Sequence, residues 1–324
     1  MARFFAGKGV QYALVLLFAV TLNFLLPRLM PGSPLVFLAG EDVGFMTAAQ
    51  RAQLTEAFGL DRPLWRQYGI YLAGLARGDL GHSVQQGRPV AEIILGRVGW
   101  TLMLVGISLV LATLMGVAWG TAAAWRRGRP LDVGSLGAAM LLHSTPSFWL
   151  GMIFIAVFAA GMRLFPVFGA MTPGAGLHGW AQAANVAWHL ALPLATLTLI
   201  TIPDMFLIMR YSMLGVLGEQ YIATARSKGV GERGVMFRHA MRNALLPVST
   251  VFMLNLGYIV SGATVIETVF SYPGIGRLLF EAVLARDYPV LQGSFFVITV
   301  SVIAANIAAD LLYPLLDPRV RYAR

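Results

Sequence analysis

The stretch GEQYIATARSKGVGERGVMFRHAMRNALLP, residues 218–247, decides the fold because it is the longest charged interval between two apolar segments. Its basic residues outnumber its acidic ones: Arg226, Lys228, Arg233, Arg238 and Arg242 oppose only Glu219 and Glu232. Loops rich in Lys and Arg stay on the cytoplasmic side of a membrane. We therefore interpret the stretch as a cytoplasmic loop.

A short helix is predicted inside this loop. Tyr221 to Lys228 contains good helix formers, and Gly229 is suited to end the helix in a left-handed conformation. Eight residues at about 1.5 Å each give roughly 12 Å, which is too short to cross a membrane. The small residues Ala223, Thr224 and Ala225 leave room for close approach by another protein. The residues alone leave two interpretations open, a partner-binding helix or a basic loop that only maintains topology.

The composition is that of a membrane protein. Of 324 residues, 57% are hydrophobic and 12% charged, whereas a soluble domain carries about 25% charged residues. The absence of cysteine excludes disulfides, thiol catalysis and cysteine-based metal sites. The net charge of +9 does not indicate nucleic acid binding. Fourteen basic and four acidic residues fall on the side assigned to the cytoplasm, against ten and nine outside, so the excess is the charge that orients the spans.

The hydropathy pattern predicts an all-α polytopic protein with six transmembrane helices and a helical external elaboration after the first span. The predicted segments are a cytoplasmic N-terminus at 1–9, a first span at 10–30, an external segment at 31–97, a core domain at 98–316 containing five spans and the cytoplasmic loop 211–244, and a cytoplasmic C-terminus at 317–324. The five later spans are predicted at 98–125, 132–160, 186–210, 245–266 and 290–316.

Local signals refine this outline. Thr47 and Gln50 have capping-box spacing before a short external helix. Asp61 and Pro63 start a second external helix that runs towards Gly78. The run Ser144-Thr145-Pro146-Ser147 predicts a kink in the third span, because proline removes a backbone hydrogen bond.

Motifs for catalysis and nucleotide binding are weak or missing. Residues 229–234 fit the pattern GxGxxG, but a basic helix precedes them where a dinucleotide site needs a buried strand. The chain has no GxxxxGK[ST] motif and its five histidines lack metal-ligand spacing. We expect no cofactor, metal site or catalytic residue in this chain.

Polar residues in the predicted spans are candidates for function, because ionisable groups are costly in a membrane. Asp204 lies near the cytoplasmic end of the fourth span, and Asp310 lies in the inner third of the sixth. A polar stripe at helical spacing on the fifth span either lines a path or forms hydrogen bonds between helices. The stripe consists of Asn255, Ser261, Thr264 and Glu267.

Several stretches carry a resemblance to a known family. YIATARSKG and RHAMRNALLP resemble the cytoplasmic coupling loop of ABC importer permeases, and more narrowly the B-type permease of the dipeptide/oligopeptide/nickel importers. Residues 59–90, 265–293 and the terminal DPRVRY also resemble this family, so the likeness covers essentially the whole chain. The sequence departs from the general motif at Ala223, where that motif has glutamate, and at Gln220, where many relatives carry an acid.

The resemblance implies a bacterial inner-membrane permease subunit with both termini in the cytoplasm. Its implied partners are a second homologous permease, two cytoplasmic ATPases that hold ATP and Mg, an external substrate-binding protein and membrane lipid. ATPase-coupling residues are then Glu219, Tyr221, Ala223, Thr224, Ala225, Arg226, Lys228 and Gly229. Residues for binding-protein docking or an external gate are Arg62, Arg88, Tyr272, Pro273, Gly274, Gly276 and Arg277.

Small peptides are the substrates most strongly implied, while similar permeases carry nickel complexes, glutathione, opines or oligosaccharides. Two hypotheses from other classes remain open at this point. One is an intramembrane enzyme that uses Asp204 and Asp310 as a catalytic pair, and the other is a self-contained channel.

The charge distribution makes a testable prediction about topology. Reporter fusions after Arg129, after Lys228 and at Arg324 should be cytoplasmic, and fusions near Gly78 and Gly276 should be external, because basic loops are retained inside. Paired cytoplasmic and periplasmic reporters measure the location of each junction. An external signal at Lys228 would contradict the assignment of the loop.

Overall fold

A computed structural model of the chain describes residues 2–29, 35, 46–57, 60–83, 85–259 and 263–316, and nearly all of them are helical. The helices are α1 (Ala2–Leu29), α2 (Ala48–Ala57), α3 (Leu64–Ala76), α4 (Val90–Trp125), α5 (Pro130–Ser144), α6 (Ser147–Phe154), α7 (Gly179–Leu217), α8 (Gln220–Ser227), α9 (Glu232–Gly234), α10 (Met241–Tyr258), α11 (Thr264–Val269), α12 (Ile275–Leu284) and α13 (Tyr288–Leu316). Two π-helical segments, Ile155–Gly161 and Val235–Ala240, continue α6 and precede α10. The all-α prediction is confirmed.

Within the described residues, four helices are long and apolar enough to cross a membrane, namely α1, α4, α7 and α13. A fifth candidate is the pair formed by Pro130–Ser144 and Ser147–Gly161, whose two halves are bent by 95°. The predicted break at residues 144–147 is confirmed, and the bend is far larger than a proline kink in a continuous helix.

The predicted fifth span at 245–266 is not one continuous helix. Helix α10 ends at Tyr258 and α11 starts at Thr264, and residues 260–262 lie outside the described part of the chain. The predicted polar stripe is therefore divided, with Asn255 on α10 and Glu267 on α11, and Ser261 lies outside the described residues. The assumption of an unbroken helix was wrong there.

The chain divides into two compact units. The first includes Met1–Gly99 and Pro273–Ala304, and the second includes Trp100–Tyr272 and Ala305–Arg321. Sequence analysis placed the first span and the external segment in separate domains from the later spans, and did not predict that the stretch 273–304 joins them.

Within the first unit, hydrogen bonds connect α1, the external segment and α13. Asn23 Nδ2 donates to the Gln292 carbonyl and Gln292 Nε2 donates to the Asn23 carbonyl, each at 2.7 Å. The Ser83 hydroxyl donates to the buried carboxylate of Asp287. Burial raises the pKa of Tyr71 to about 12, so this α3 hydroxyl stays protonated where Asn23 donates to it at 3.4 Å. These hydrogen bonds connect α3 and the loop at Ser83 to α1 and to the start of α13.

The local predictions for the external segment are confirmed. The Thr47 and Gln50 side chains form the capping box at the start of α2, with the Thr47 N–H donating to Gln50 Oε1 at 2.9 Å and the Gln50 N–H to Thr47 Oγ1 at 3.3 Å. Helix α3 starts directly after Pro63 and ends at Ala76.

Within the second unit, α4 and α7 approach closely at two glycines. A Cβ added to Gly116 would lie 2.5 Å from Met205 Cβ, and one added to Gly120 would lie 2.7 Å from the Phe206 carbonyl oxygen. The residues form a GxxxG pair, Gly116-Val-Ala-Trp-Gly120, a spacing that lets membrane helices pack backbone to backbone. Sequence analysis did not use this signal.

The close approach predicts that Gly120→Ala destabilises the protein. The new methyl group would contact the backbone of α7, which cannot rotate away, so the melting temperature of the purified protein should fall by several degrees. Gly106→Ala on the same helix is the matched control, because a Cβ there meets nothing within 4 Å. Alanine improves helix propensity by up to about 1 kcal/mol, so this control should be neutral or stabilising. Equal effects at both positions would contradict the packing argument.

Candidate functional site

Helix α8 confirms the short helix predicted in the cytoplasmic loop. It spans Gln220–Ser227, within one residue of the prediction at each end. The Gly229 N–H donates to the Arg226 carbonyl at 2.9 Å and the Val230 N–H to the Ala225 carbonyl at 3.2 Å. These are the two bonds of a Schellman motif. Gly229 has φ +75°, so glycine ends the helix here as expected.

The inner face of α8 packs on the chain's own helices. Ile222 is 0% exposed and Ala225 is 7% exposed, and both belong to a buried apolar cluster with residues of α7, α10 and the π-helical segment between α9 and α10. The other fully buried members include Met209, Met213, Val235 and Ala244. The side chain of Ala225, which was predicted to lie against a partner surface, fills the interior of its own chain.

The outer face of α8 is open. Its exposed residues are Gln220, Tyr221, Ala223, Thr224, Arg226 and Ser227, with Glu219 and Lys228 exposed at the two ends. Two contacts order this face. Tyr221 Oη accepts a hydrogen bond from Asn243 Nδ2 at 2.7 Å, and Arg226 pairs with Glu232 at 3.1 Å. Apart from Ala225, the predicted coupling residues therefore form one accessible surface.

A buried ion pair lies near the cytoplasmic end of α7. Arg210 Nε and Nη2 donate to the two carboxylate oxygens of Asp132 at 2.7 and 3.0 Å. Asp132 is 2% exposed and Arg210 is 7% exposed. The Gly128 N–H also donates to Asp132 at 2.9 Å. The bidentate geometry joins the first turn of α5 to α7, seven residues before α7 ends. Sequence analysis missed this pair, whose members are 78 residues apart.

The predicted docking or gate residues divide into buried and exposed groups. Tyr272 is fully buried and its ring meets Trp100 edge-on, with centroids 5.9 Å apart. Gly274 and Gly276 are also buried. The predicted tight turn at Pro273–Gly276 is instead the start of α12, with Gly274 as its N-cap in extended conformation. The left-handed residue at this corner is Ser271, with φ +50°. Tyr272, Gly274 and Gly276 are therefore buried in the interior of the chain.

The three predicted docking arginines are less buried. Arg62 and Arg88 are exposed, and Arg88 pairs with Glu92 one helical turn away at 3.4 Å. Arg277 is half-buried and pairs with Glu281 at 2.6 Å. Exposed ion pairs of this kind add little stability, so these side chains can exchange partners at little cost.

The predicted path residues are not brought together. Glu267 is fully buried and accepts a hydrogen bond from Thr101 Oγ1 at 2.9 Å, which fits a contact between helices better than an open path. Asn255 and Thr264 are half-buried.

The acids in the spans have different surroundings from those expected of a catalytic pair. Asp204 contacts His143, with 3.4 Å between Oδ1 and Nδ1, and sequence analysis did not anticipate this partner. His189 is buried and its Nδ1 lies 2.9 Å from the Asn185 carbonyl, as expected of a structural histidine. In the described part of the chain, no group of three or more His, Asp or Glu side chains is arranged to hold a metal ion.

Comparison with known proteins identifies the family to which these helices belong. Residues 116–322 match the family described as "Binding-protein-dependent transport system inner membrane component". The chain belongs to this family. It is therefore a multi-pass inner-membrane permease subunit of an ABC transporter, and the hypothesis of an intramembrane enzyme at Asp204 and Asp310 is set aside.

Individual permeases of this family are similar over nearly their full length. The dipeptide transport system permease protein DppB of Escherichia coli (strain K12) is 37% identical over 320 residues, which cover 94% of each chain. The oligopeptide transport system permease protein AppB of Bacillus subtilis (strain 168) is 33% identical over 99% of this chain and 100% of the relative. A putative peptide permease protein of Brucella suis biovar 1 is 39% identical over 98% and 97%.

The buried pair in this permease predicts strong coupling between Asp132 and Arg210. Asp132→Asn should lower stability by about 3–5 kcal/mol, because it leaves a buried guanidinium without its counter-charge. The double variant Asp132→Asn/Arg210→Gln should lose less than the sum of the two single variants. Thermal unfolding of the purified transporter measures all three. Arg88→Gln, which removes an exposed ion pair, should change stability by less than about 1 kcal/mol. Additive losses at Asp132 and Arg210 would contradict the coupling.

Proposed function

We propose that this permease imports di- and oligopeptides delivered by an external binding protein. The observation that carries the proposal is similarity over almost the whole chain to permeases whose names specify dipeptide or oligopeptide transport. The chain forms the translocation path together with a second homologous permease. Two cytoplasmic ATPases bind ATP and Mg and hydrolyse the ATP, while this chain contributes no catalytic group.

The proposed topology has six spans with both termini in the cytoplasm. The spans other than the fifth correspond to α1, α4, the bent pair α5–α6, α7 and α13. Helices α10 and α11 together contribute the fifth, in the core domain 98–316. The C-terminal segment 317–324 lies outside the described residues, and its cytoplasmic location is part of the proposal.

Helix α8 is the proposed mechanical link to an ATPase. Its exposed face, from Glu219 to Lys228, inserts into a groove of that subunit, and its buried face at Ile222 and Ala225 is continuous with the core around α7 and α10. Closure of the ATPases on ATP then displaces α8. Because interiors are close-packed, the displacement passes to the long helices and does not dissipate in the loop.

The external face receives the binding protein. Arg62 and Arg88 are the proposed contacts because they are exposed on the outer elaboration, and Arg277 lies at the start of α12. The buried residues Tyr272, Gly274 and Gly276 stabilise the backbone beneath this surface. Substrate released there enters a path that is open to the outside until the ATPases hydrolyse ATP and separate.

The coupling proposal predicts that Ala223→Arg uncouples the transporter. Ala223 is exposed on α8, so the substitution leaves the chain's own core intact but places a large charge where a close-fitting partner is expected. Peptide uptake should fall at least tenfold, with ATPase subunits lost from the purified complex or unresponsive to substrate.

Ala223→Ser is the matched control, because it adds a single oxygen and should retain uptake. Membrane insertion and thermal stability of the Ala223→Arg chain should match the parent protein. Normal, substrate-stimulated uptake by this variant would show that α8 is not the link to the ATPases. The same substitution at Ala225 is less informative, since that side chain is buried in its own core.

A further inference from the structure

The contact between His143 and Asp204 lies on the open surface of the chain although both residues belong to candidate spans. Their side chains are 62% and 55% exposed, with 3.4 Å between His143 Nδ1 and Asp204 Oδ1. Ionisable side chains within a membrane rarely face lipid; they face a water-filled cavity or another protein. The pair therefore marks a region of this surface that lipid does not cover.

The backbone around the pair gives a second, independent indication. Helix α5 ends at Ser144, one residue after His143, and the bend of 95° follows directly. Ser144 and Pro146 at this break are exposed. On α7, Pro203 immediately precedes Asp204 and removes a helix hydrogen bond. Irregular backbone at membrane depth is tolerated where protein buries it or where it lines water. Pro203 is buried, whereas the break at Ser144 and Pro146 is exposed.

The position along α7 fits a path that continues beyond the cytoplasmic ion pair. Asp204 lies six residues before Arg210 and thirteen before the end of the helix at Leu217, which corresponds to about 9 Å and 20 Å along the axis. Asp204 is thus farther from α8 than the buried pair that joins α5 to α7.

We propose that Asp204, positioned by His143, is a cation-accepting subsite in the water-filled path, and that it binds the α-ammonium group of a peptide in transit. This inference rests on the proposed function. A carboxylate accepts hydrogen bonds from the three N–H donors of an ammonium group. His143 Nδ1 lies 3.4 Å from Oδ1 of this carboxylate, and the Asp204 side chain is 55% exposed, so a ligand can reach it.

The chain contains no cysteine, so single cysteines can test this subsite in the complete transporter. Ser144→Cys is treated in proteoliposomes with a cationic aminoethyl or an anionic sulfonatoethyl methanethiosulfonate. It should react with both, and faster with the cationic reagent. Adding Asp204→Asn should lower the cation-to-anion rate ratio about three- to tenfold, the effect of one unit charge within roughly 6–10 Å in water. Leu14→Cys, exposed on the apolar candidate span of α1, is the control and should react with neither reagent.

His143→Gln separates the positioning role from the charge. It should keep the preference for the cationic reagent, because the carboxylate supplies the charge, and it should lower the uptake rate of dialanine, because the carboxylate loses the side chain that positions it. Uptake equal to that of the parent transporter would overturn the positioning role of His143. A ratio that does not change with Asp204→Asn would overturn the subsite. So would a cysteine at 144 that reacts in the isolated chain but not in the complete transporter, since the second permease would then cover this surface.

Uptake of dialanine tests the ligand. Asp204→Asn should lower the uptake rate several-fold while the affinity of the binding protein for dialanine stays unchanged, and Asp204→Glu should restore most of the rate. Unchanged uptake by Asp204→Asn would overturn the assignment of the peptide ammonium group. If the parent transporter does not take up dialanine, the result contradicts the proposed peptide transport. The labelling rates would still show whether water reaches the surface beside Asp204.

Discussion

A buried charge needs a counter-charge, and the ion pair between Asp132 and Arg210 meets this requirement near the C-terminal end of α7. Burying either ion alone costs several kcal/mol, whereas the bidentate pair with the added Gly128 N–H offsets this cost. The pair holds the first turn of α5 on α7 just before α7 leads into α8. Because α8 follows α7 and packs on it, the position of α8 depends on this contact.

The glycine contacts complement the ion pair. Gly116 and Gly120 bring α4 onto the part of α7 that carries Met205 and Phe206, one to two turns from Arg210. Helices α4, α5 and α7 are therefore held together by backbone contact on one side and by charge on another. The hydrophobic effect does not drive helices together in a membrane, because lipid tails are themselves apolar. Close packing and polar contacts of this kind stabilise the association instead.

Sequence reasoning succeeded where the determining interactions are local. Good helix formers at 221–228 predicted the short helix α8, and Gly229 is left-handed as its position after that helix predicted. The capping box at Thr47 and Gln50 is likewise a contact across three residues.

Prediction failed where the answer depended on distant parts of the chain. The prediction of a polar stripe required 245–266 to be one helix. Because α10 and α11 are separate helices, the stripe residues do not share one helix face. Which face of α8 is buried depends on α7 and α10, so nothing local distinguished Ala225 from Ala223. The partner of Arg210 is 78 residues away in the sequence. The GxxxG spacing can be read from the sequence, but the sequence does not specify which helix packs against it.

The length of α7 has a mechanical consequence. Its 39 residues extend about 58 Å, so a swing of about 5° around the Gly179 end moves the Leu217 end by about 5 Å, close to one helical pitch. At Asp204, about two-thirds of the way along the helix, the same swing produces about 3 Å, as much as the length of a hydrogen bond. A small rotation of α7 would therefore displace α8, which follows Leu217, and would also change the contact between Asp204 and His143. The amplification comes from the length of the helix and not from any particular side chain.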